Sequence, residues 1–255
     1  MIKDKSTLES QRLLQHNNQS VWEVFLEEYF VGFVDNPIFF NHPIYNTVKE
    51  MFNKGVLWSV GLKLLFQPGS EIKRLISTIE ENLSIKDNTF KIGLHIRQGD
   101  DSFGKTGKKD ERYVPSNRVP CFVEKAIQLW EEASKKKELA LDGQPIFFVT
   151  SDHETTSQEV IEIFRRKGYR AFDSVEYAGN PVHMKKKKED QTRTFLDWFL
   201  LSRMDELVIT RSGFSMSPAK FNCVPSYIYM PSNKTCLDIF NPMELCSIDH
   251  YFKRK

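Results

Sequence analysis

The stretch Phe90-Lys91-Ile92-Gly93-Leu94-His95-Ile96-Arg97-Gln98-Gly99-Asp100 decides the fold. Its first seven residues are a short, apolar, β-prone run, followed by a loop rich in Gly, Lys and Asp from Gln98 to about Pro115. A continuous apolar run closed by turn residues is the pattern of a strand covered on both faces. Downstream, the periodicity predicts a helix from about Val119 to Ser134, with Phe122, Ala126, Leu129 and Ala133 on one face. Pro145 to Thr150 reads as a strand, Thr155 to Lys167 as a helix, and Tyr169 to Phe172 as a strand. After a charged loop at 179–191 come a helix from Thr192 to Met204 and a strand from Glu206 to Thr210. A helix starts at Ser215 and runs to about Phe221, and Ser226 to Met230 is a last strand. The order β-α-β-α-β-α-β-α-β predicts an α/β protein with a parallel, doubly wound, Rossmann-like sheet.

Upstream the pattern differs. The first thirty residues read as helix, with Leu13, Leu14, Val21, Val24, Phe25 and Leu26 at three-to-four spacing. Residues 30–45 are rich in Phe, carry Pro37 and Pro43, and read as irregular. Gly55 to Phe66 is apolar and stops at Gln67-Pro68-Gly69. Ser70 is expected to cap a helix from Glu71 to about Asn82, with Ile72, Leu75, Ile76 and Ile79 on one face. Two parts are therefore expected: a mainly helical lobe over 1–88 and the sheet domain over 89–255.

A length of 255 residues with 40% apolar and 27% charged residues suits a globular chain with a real core. Lys and Arg number 36 against 34 Asp and Glu; a net charge of +2 argues against a general nucleic-acid binder. No apolar run approaches the roughly 18 residues of a membrane helix. MIKDKSTLES has no apolar run behind its charges, so it does not read as a signal peptide. Cys121, Cys223, Cys236 and Cys246 form no CxxC pair, which argues against structural zinc, and whether any two are bridged stays open. Asn18-Gln19-Ser20, Asn82-Leu83-Ser84 and Asn233-Lys234-Thr235 are N-x-S/T triplets, a weak pointer to a lumenal compartment.

In a doubly wound sheet ligands bind at the carboxyl ends of the strands. The first such end is His95-Ile96-Arg97-Gln98-Gly99-Asp100-Asp101, where alternation puts His95 and Arg97 on one side. An Arg there suits a phosphate, because its planar fork donates two hydrogen bonds; the bland alternative is a salt bridge to Asp100 or Asp101. The second end carries Ser151, Asp152 and His153, placed for a ligand rim or for capping the helix from Thr155. The third, Thr210-Arg211-Ser212-Gly213-Phe214-Ser215, enters a helix whose first amides can bind an anion or simply be capped. It is neither a P-loop nor a nucleophile elbow, since Gly-x4-Gly-Lys is absent and Ser217 stands where Gly-x-Ser-x-Gly needs its second glycine. Asp197, among Phe, Leu and Trp, needs a partner when buried; Arg193, Arg203 or a ligand can serve.

Together these segments resemble the fucosyltransferase superfamily with the GT-B fold, which includes the α-1,2-, α-1,6- and protein O-fucosyltransferases. His95-Ile-Arg97-Gln-Gly99-Asp100 is similar to its His-x-Arg-x-Gly-Asp segment, and Ser151-Asp152 to its strand ending in Ser-Asp. The run from Asp197 through Asp205 to Ser212-Gly-Phe214-Ser215 is similar to its acid-bearing helix, strand and Ser-x-Phe-Ser turn. The likeness spans roughly residues 56–235 and is firm at the motifs from 92 to 219. It implies transfer of L-fucose from GDP-β-L-fucose to a glycan or glycoprotein acceptor, with inversion and with neither metal nor cofactor. The lumen of the Golgi or endoplasmic reticulum is the compartment it implies. It makes 1–88 a short acceptor-side lobe and 89–255 the domain for the sugar nucleotide. It places Arg97 on the diphosphate, Asp197 on the guanine, and Ser212, Gly213, Phe214 and Ser215 against the nucleotide, with His95, Ser151, Asp152 and His153 beside them. The catalytic base is open among Asp100, Asp101, Asp110 and Glu111, with Asp100 and Asp101 next to the motif. The absence of an Asp-x-Asp triplet at a strand end agrees with a metal-free route.

Two competing readings remain at this level. One is a module that keeps the nucleotide lobe but has lost catalysis. The other is an unrelated phosphate-recognising α/β enzyme, kinase-like or phosphatase-like, against which the missing P-loop and Cys-x5-Arg sequence count. The Lys185–Lys188 run reads as a solvated loop, with attraction of an acidic acceptor or the sugar nucleotide as its rival role.

Overall fold

The computed structural model describes residues 59, 63, 67–98, 113–136, 143–153, 155–178, 192–232 and 234–243. The chain divides into two compact units, Met1–Gly61 with Cys246–Lys255, and Leu62–Leu245; the elements below belong to the second. The readings of residues 1–58 and of the loops at 99–112 and 179–191 lie outside the described residues, as do Asp100, Asp101, Asp110 and Glu111.

Helix α1 spans Ser70–Asn82 and buries Leu75, Ile76 and Ile79. Gly69 rather than Ser70 occupies its N-cap position, and no side chain caps it. Strand β1 (Lys91–Ile96) leads through the 3-10 turn Ser116–Arg118 into α2 (Val119–Lys135), whose buried face includes Phe122, Ala126, Leu129 and Ala133 as the spacing predicts. Then follow β2 (Ile146–Ser151), α3 (Thr156–Arg166), β3 (Arg170–Phe172) and the one-turn α4 (Val175–Ala178). The chain continues with α5 (Thr192–Ser202), β4 (Glu206–Ile209), α6 (Gly213–Asn222) and β5 (Ser226–Tyr229). A sixth strand, β6 (Phe240–Met243), closes the sheet.

The strand order is β3-β2-β1-β4-β5-β6. The five strands expected from sequence all pair in parallel, and β6 runs antiparallel to β5 with Pro242 opposite Tyr227. The order reverses direction at β1, so the crevice beyond the carboxyl ends of β1 and β4 is the topological switch point.

Alternation along β1 sends Ile92, Leu94 and Ile96 to one face. There they join Phe147, Val149 and Val208 and the buried sides of α2 and α3 in the main core. Phe147 stacks on Phe164 with ring centroids 4.1 Å apart. The opposite face packs on α5 and α6. Gly93 lies on that face, and a methyl group there would stand 2.6 Å from Leu207 Cδ2 and 2.8 Å from Met204 Cγ. Glycine is therefore what lets the end of α5 lie directly on β1. Asp205 locks the same junction: its carboxylate accepts from the Lys91 amide at 2.8 Å, and its own amide donates to the Lys91 carbonyl at 2.8 Å.

Cys121, at the start of α2, is disulfide-bonded to Cys236 in the β5–β6 loop, across 115 residues of sequence. Arg118 adds two hydrogen bonds to the same loop, to the carbonyls of Ser232 and Lys234 at 3.2 Å each. Cys223 is disulfide-bonded as well.

Candidate functional site

His95 and Arg97 leave β1 on Gly93's side, towards α6, and each is held differently. The His95 ring is buried at 4% exposure, with Nδ1 3.1 Å from Thr210 Oγ1 and its centroid 5.2 Å from that of Phe214. The Thr210 amide also donates to the His95 carbonyl at 3.1 Å, tying the ends of β1 and β4 together. Burial first, and the Arg97 guanidinium second, push the His95 pKa down to about 3. The ring is therefore neutral, and one of its nitrogens shares a proton with Thr210. In the unfolded chain it takes up a proton near pH 6.5. Its contribution to stability is thus complete above pH 6.5 and is lost as pH falls towards about 3, at about 1.4 kcal/mol per unit between them. The expected result is a melting temperature that falls through this window, and falls less steeply in His95→Gln. Equal slopes in the two proteins would place the acid sensitivity elsewhere.

Arg97 stands at the rim. Its guanidinium lies 5.4 Å from the centre of the Tyr113 ring, and its Nε is 3.9 Å from Asp152 Oδ2. At that distance the pair is ionic without a hydrogen bond, and among the described residues the buried Nε has no hydrogen-bond partner. A buried donor on a cation is costly to leave unmet. Among the described residues the ion-pair partner of Arg97 is Asp152; the alternative partners Asp100 and Asp101 lie outside the described residues.

Asp152 also receives the Gln98 amide at 2.8 Å on Oδ1. Ser151 Oγ donates to the Ile96 carbonyl at 2.7 Å and receives the His153 amide at 3.1 Å. The His153 ring nitrogen Nδ1 is 3.2 Å from Thr156 Oγ1, which in turn donates to Gln98 Oε1. Ser151, Asp152 and His153 therefore clamp the end of β1 to that of β2; the N-cap position of α3 belongs to Thr155.

At the end of β4, Ser212 is the extended N-cap residue of α6. The amides of Ser215 and Met216 donate to its carbonyl at 3.1 and 2.9 Å. Gly213 and Phe214 precede them as first-turn donors with no intrahelical carbonyl to meet. The Ser215 hydroxyl, fully buried, donates to the Thr210 carbonyl at 2.9 Å. Of the four turn residues, Ser215 thus holds the turn's shape, while Gly213 and Phe214 present amides.

Asp197 lies deeper, on α5, at 5% exposure. Its Oδ2 accepts from Thr150 Oγ1 at 2.7 Å and lies 3.6 Å from Arg193 Nε, one turn back on the helix. Its Oδ1 accepts from Ser174 Oγ, which also receives Arg193 Nε at 3.1 Å. Burial pushes its carboxyl pKa upward, against the pull of Arg193 and of the two hydroxyls. The alternative partner Arg203 pairs instead with Glu80 of α1 at 3.3 Å.

The structure thus brings His95, Arg97, Ser151, Asp152, His153, Ser212, Gly213 and Phe214 to one edge of the sheet, with Asp197 and Ser215 buried beneath it. Tyr113 and Ser174 were not foreseen. Tyr113 sits in an unpatterned loop, and Ser174 in a bend before the single turn of α4; neither has a periodic signal.

No family model and no curated protein matches the sequence. Among solved structures, FUT1 of Arabidopsis thaliana, as the R284K mutant in complex with GDP, superimposes with a TM-score of 0.52 at 18% identity, over 80% of this chain and 44% of that one. The fold is fucosyltransferase-like. Looser matches, which add no weight, are POFUT1 in complex with GDP (TM-score 0.42, 14% identity, 69% of this chain and 50% of that) and the fucosyltransferase NodZ from Bradyrhizobium (TM-score 0.40, 15% identity, 69% and 48%). The chain spans about half the length of the solved structures it matches. The fucosyltransferase-like GT-B fold agrees with the α/β, parallel-sheet expectation.

Proposed function

We propose that this site binds GDP-β-L-fucose and transfers L-fucose, with inversion and without a metal ion, to a hydroxyl of a glycan or glycoprotein. The observation that carries the reading is Arg97: a guanidinium at the switch point whose buried Nε meets no hydrogen-bond acceptor among the described residues, beside the first-turn amides of α6. As the glycosidic bond breaks, negative charge builds on the departing diphosphate. A fixed cation and oriented amides stabilise that charge more than the charge of the bound donor. Neutral His95 shapes the floor without adding charge. Asp152 and Tyr113 orient the Arg97 fork. Asp100 and Asp101, carried from the sequence motif, are the candidates to take the proton from the acceptor hydroxyl. Asp197, with both oxygens engaged and little surface exposed, supports this floor through Thr150; contact with the guanine is its rival role. Bridged cysteines agree with a lumenal compartment.

The test is thermal. GDP at about 100 times its Kd is expected to add about 2.7 kcal/mol of stability, and the shift is expected to persist in EDTA. No shift with millimolar GDP or GDP-fucose removes the reading. Loss of the shift on chelation, restored by Mg2+ or Mn2+, removes its metal-free part. A shift without consumption of GDP-fucose across glycan and peptide acceptors identifies a binding module instead.

A further inference from the structure

We infer that Asn82 is an N-glycosylation acceptor. It opens the triplet Asn82-Leu83-Ser84 and is the last residue of α1, with its side chain in solvent. Among the described residues nothing hydrogen-bonds to that side chain. The backbone around it turns sharply. Ser84 has φ 47°, its amide donates to the Glu81 carbonyl at 3.0 Å, and the Ile85 amide donates to the Glu80 carbonyl at 2.8 Å. This is a Schellman end with Ser84 in the left-handed position that glycine usually fills. Both Asn82 and Ser84 are exposed on the turn.

Two further observations give the triplet meaning. The bridge between Cys121 and Cys236 and the bonded state of Cys223 belong to an oxidising compartment, where asparagine-linked transfer also takes place. The turn also lies at the amino-terminal edge of the sheet. Ile85 to Phe90 lead from it into β1, and Arg170, the first residue of β3, donates to the Leu83 carbonyl. An oligosaccharide here stands at the edge opposite Arg97 and α6, clear of the crevice. The other two triplets begin at Asn18 and Asn233, outside the described residues.

The chemistry needs a host donor, an oligosaccharide on a polyprenyl pyrophosphate. The anomeric C–O bond to the pyrophosphate breaks, a C–N bond forms to Asn82 Nδ2, and one amide proton is released. The test uses the full chain secreted from a eukaryotic host and digested with peptide N-glycosidase in heavy-oxygen water. The expected result is the Asn82 peptide recovered as heavy-oxygen aspartate. Ser84→Gly removes the hydroxyl the triplet requires while suiting the left-handed backbone, so it is expected to fold with an unchanged melting temperature and an unlabelled Asn82. Recovery of Asn82 only as unmodified asparagine from the disulfide-bonded wild-type protein overturns the inference, as does labelling of Asn82 in Ser84→Gly.

Discussion

Asp197→Ala is expected to lose about 3–5 kcal/mol of stability, enough to unfold many domains of this size. The substitution takes from Arg193, at 2% exposure, the buried carboxylate 3.6 Å from its Nε. It also takes away the acceptor of the Thr150 and Ser174 hydroxyls. Asp197→Asn keeps the shape and one carbonyl acceptor, so it should fall between wild type and alanine. Chemical denaturation of the three proteins checks the ranking. A fully stable Asp197→Asn in which GDP and UDP affinities move together would instead assign the carboxylate to base selection, as the family resemblance implies.

Arg97→Lys is expected to cut turnover on the order of a hundredfold or more while leaving the melting temperature near wild type. Lysine keeps the charge and loses the fork. It also places one strongly hydrated ammonium where Nε and the terminal nitrogens now stand between Tyr113 and Asp152. The loss should appear mainly in kcat, because the diphosphate gains charge as fucose leaves, and less in donor affinity. Donor affinity, turnover and melting temperature measured on this one variant decide the matter. Turnover close to wild type would reduce Arg97 to a structural cation held by Asp152.

The sheet was legible because burial on both faces demands apolar residues at every position. Ile92 to Ile96 and Ile146 to Val149 announce themselves without any knowledge of their neighbours. Helix faces such as Phe122, Ala126 and Leu129 were legible for the same local reason, their spacing. β6 was not: Phe240-Asn-Pro-Met has no alternation and a proline inside it, and only pairing with β5 makes it a strand. At the site, strand ends could be found from sequence, but partners could not. Of the groups around Asp197, only Arg193 lies within one helical turn; Thr150 and Ser174 come from other segments. The pairing of Arg97 with Asp152, and of Cys121 with Cys236, rests on which strands and loops become neighbours, which spacing does not encode.

The closing strand has a consequence for how this protein behaves in concentrated solution. The Met230 amide donates to the Ile239 carbonyl, and antiparallel partners alternate between bonded and non-bonded pairs, so the Tyr227–Pro242 pair is non-bonded. The nitrogen of Pro242 therefore faces away from β5, at the position where an incoming strand would seek a donor. Asn241 and Pro242 are exposed there, and a proline nitrogen has nothing to give. A β-branched residue in its place would restore an N–H to the outer edge and make β6 a template for strand addition by another molecule. Among the described residues β6 is the edge strand, and the same proline that hides it from sequence periodicity takes one donor from that edge.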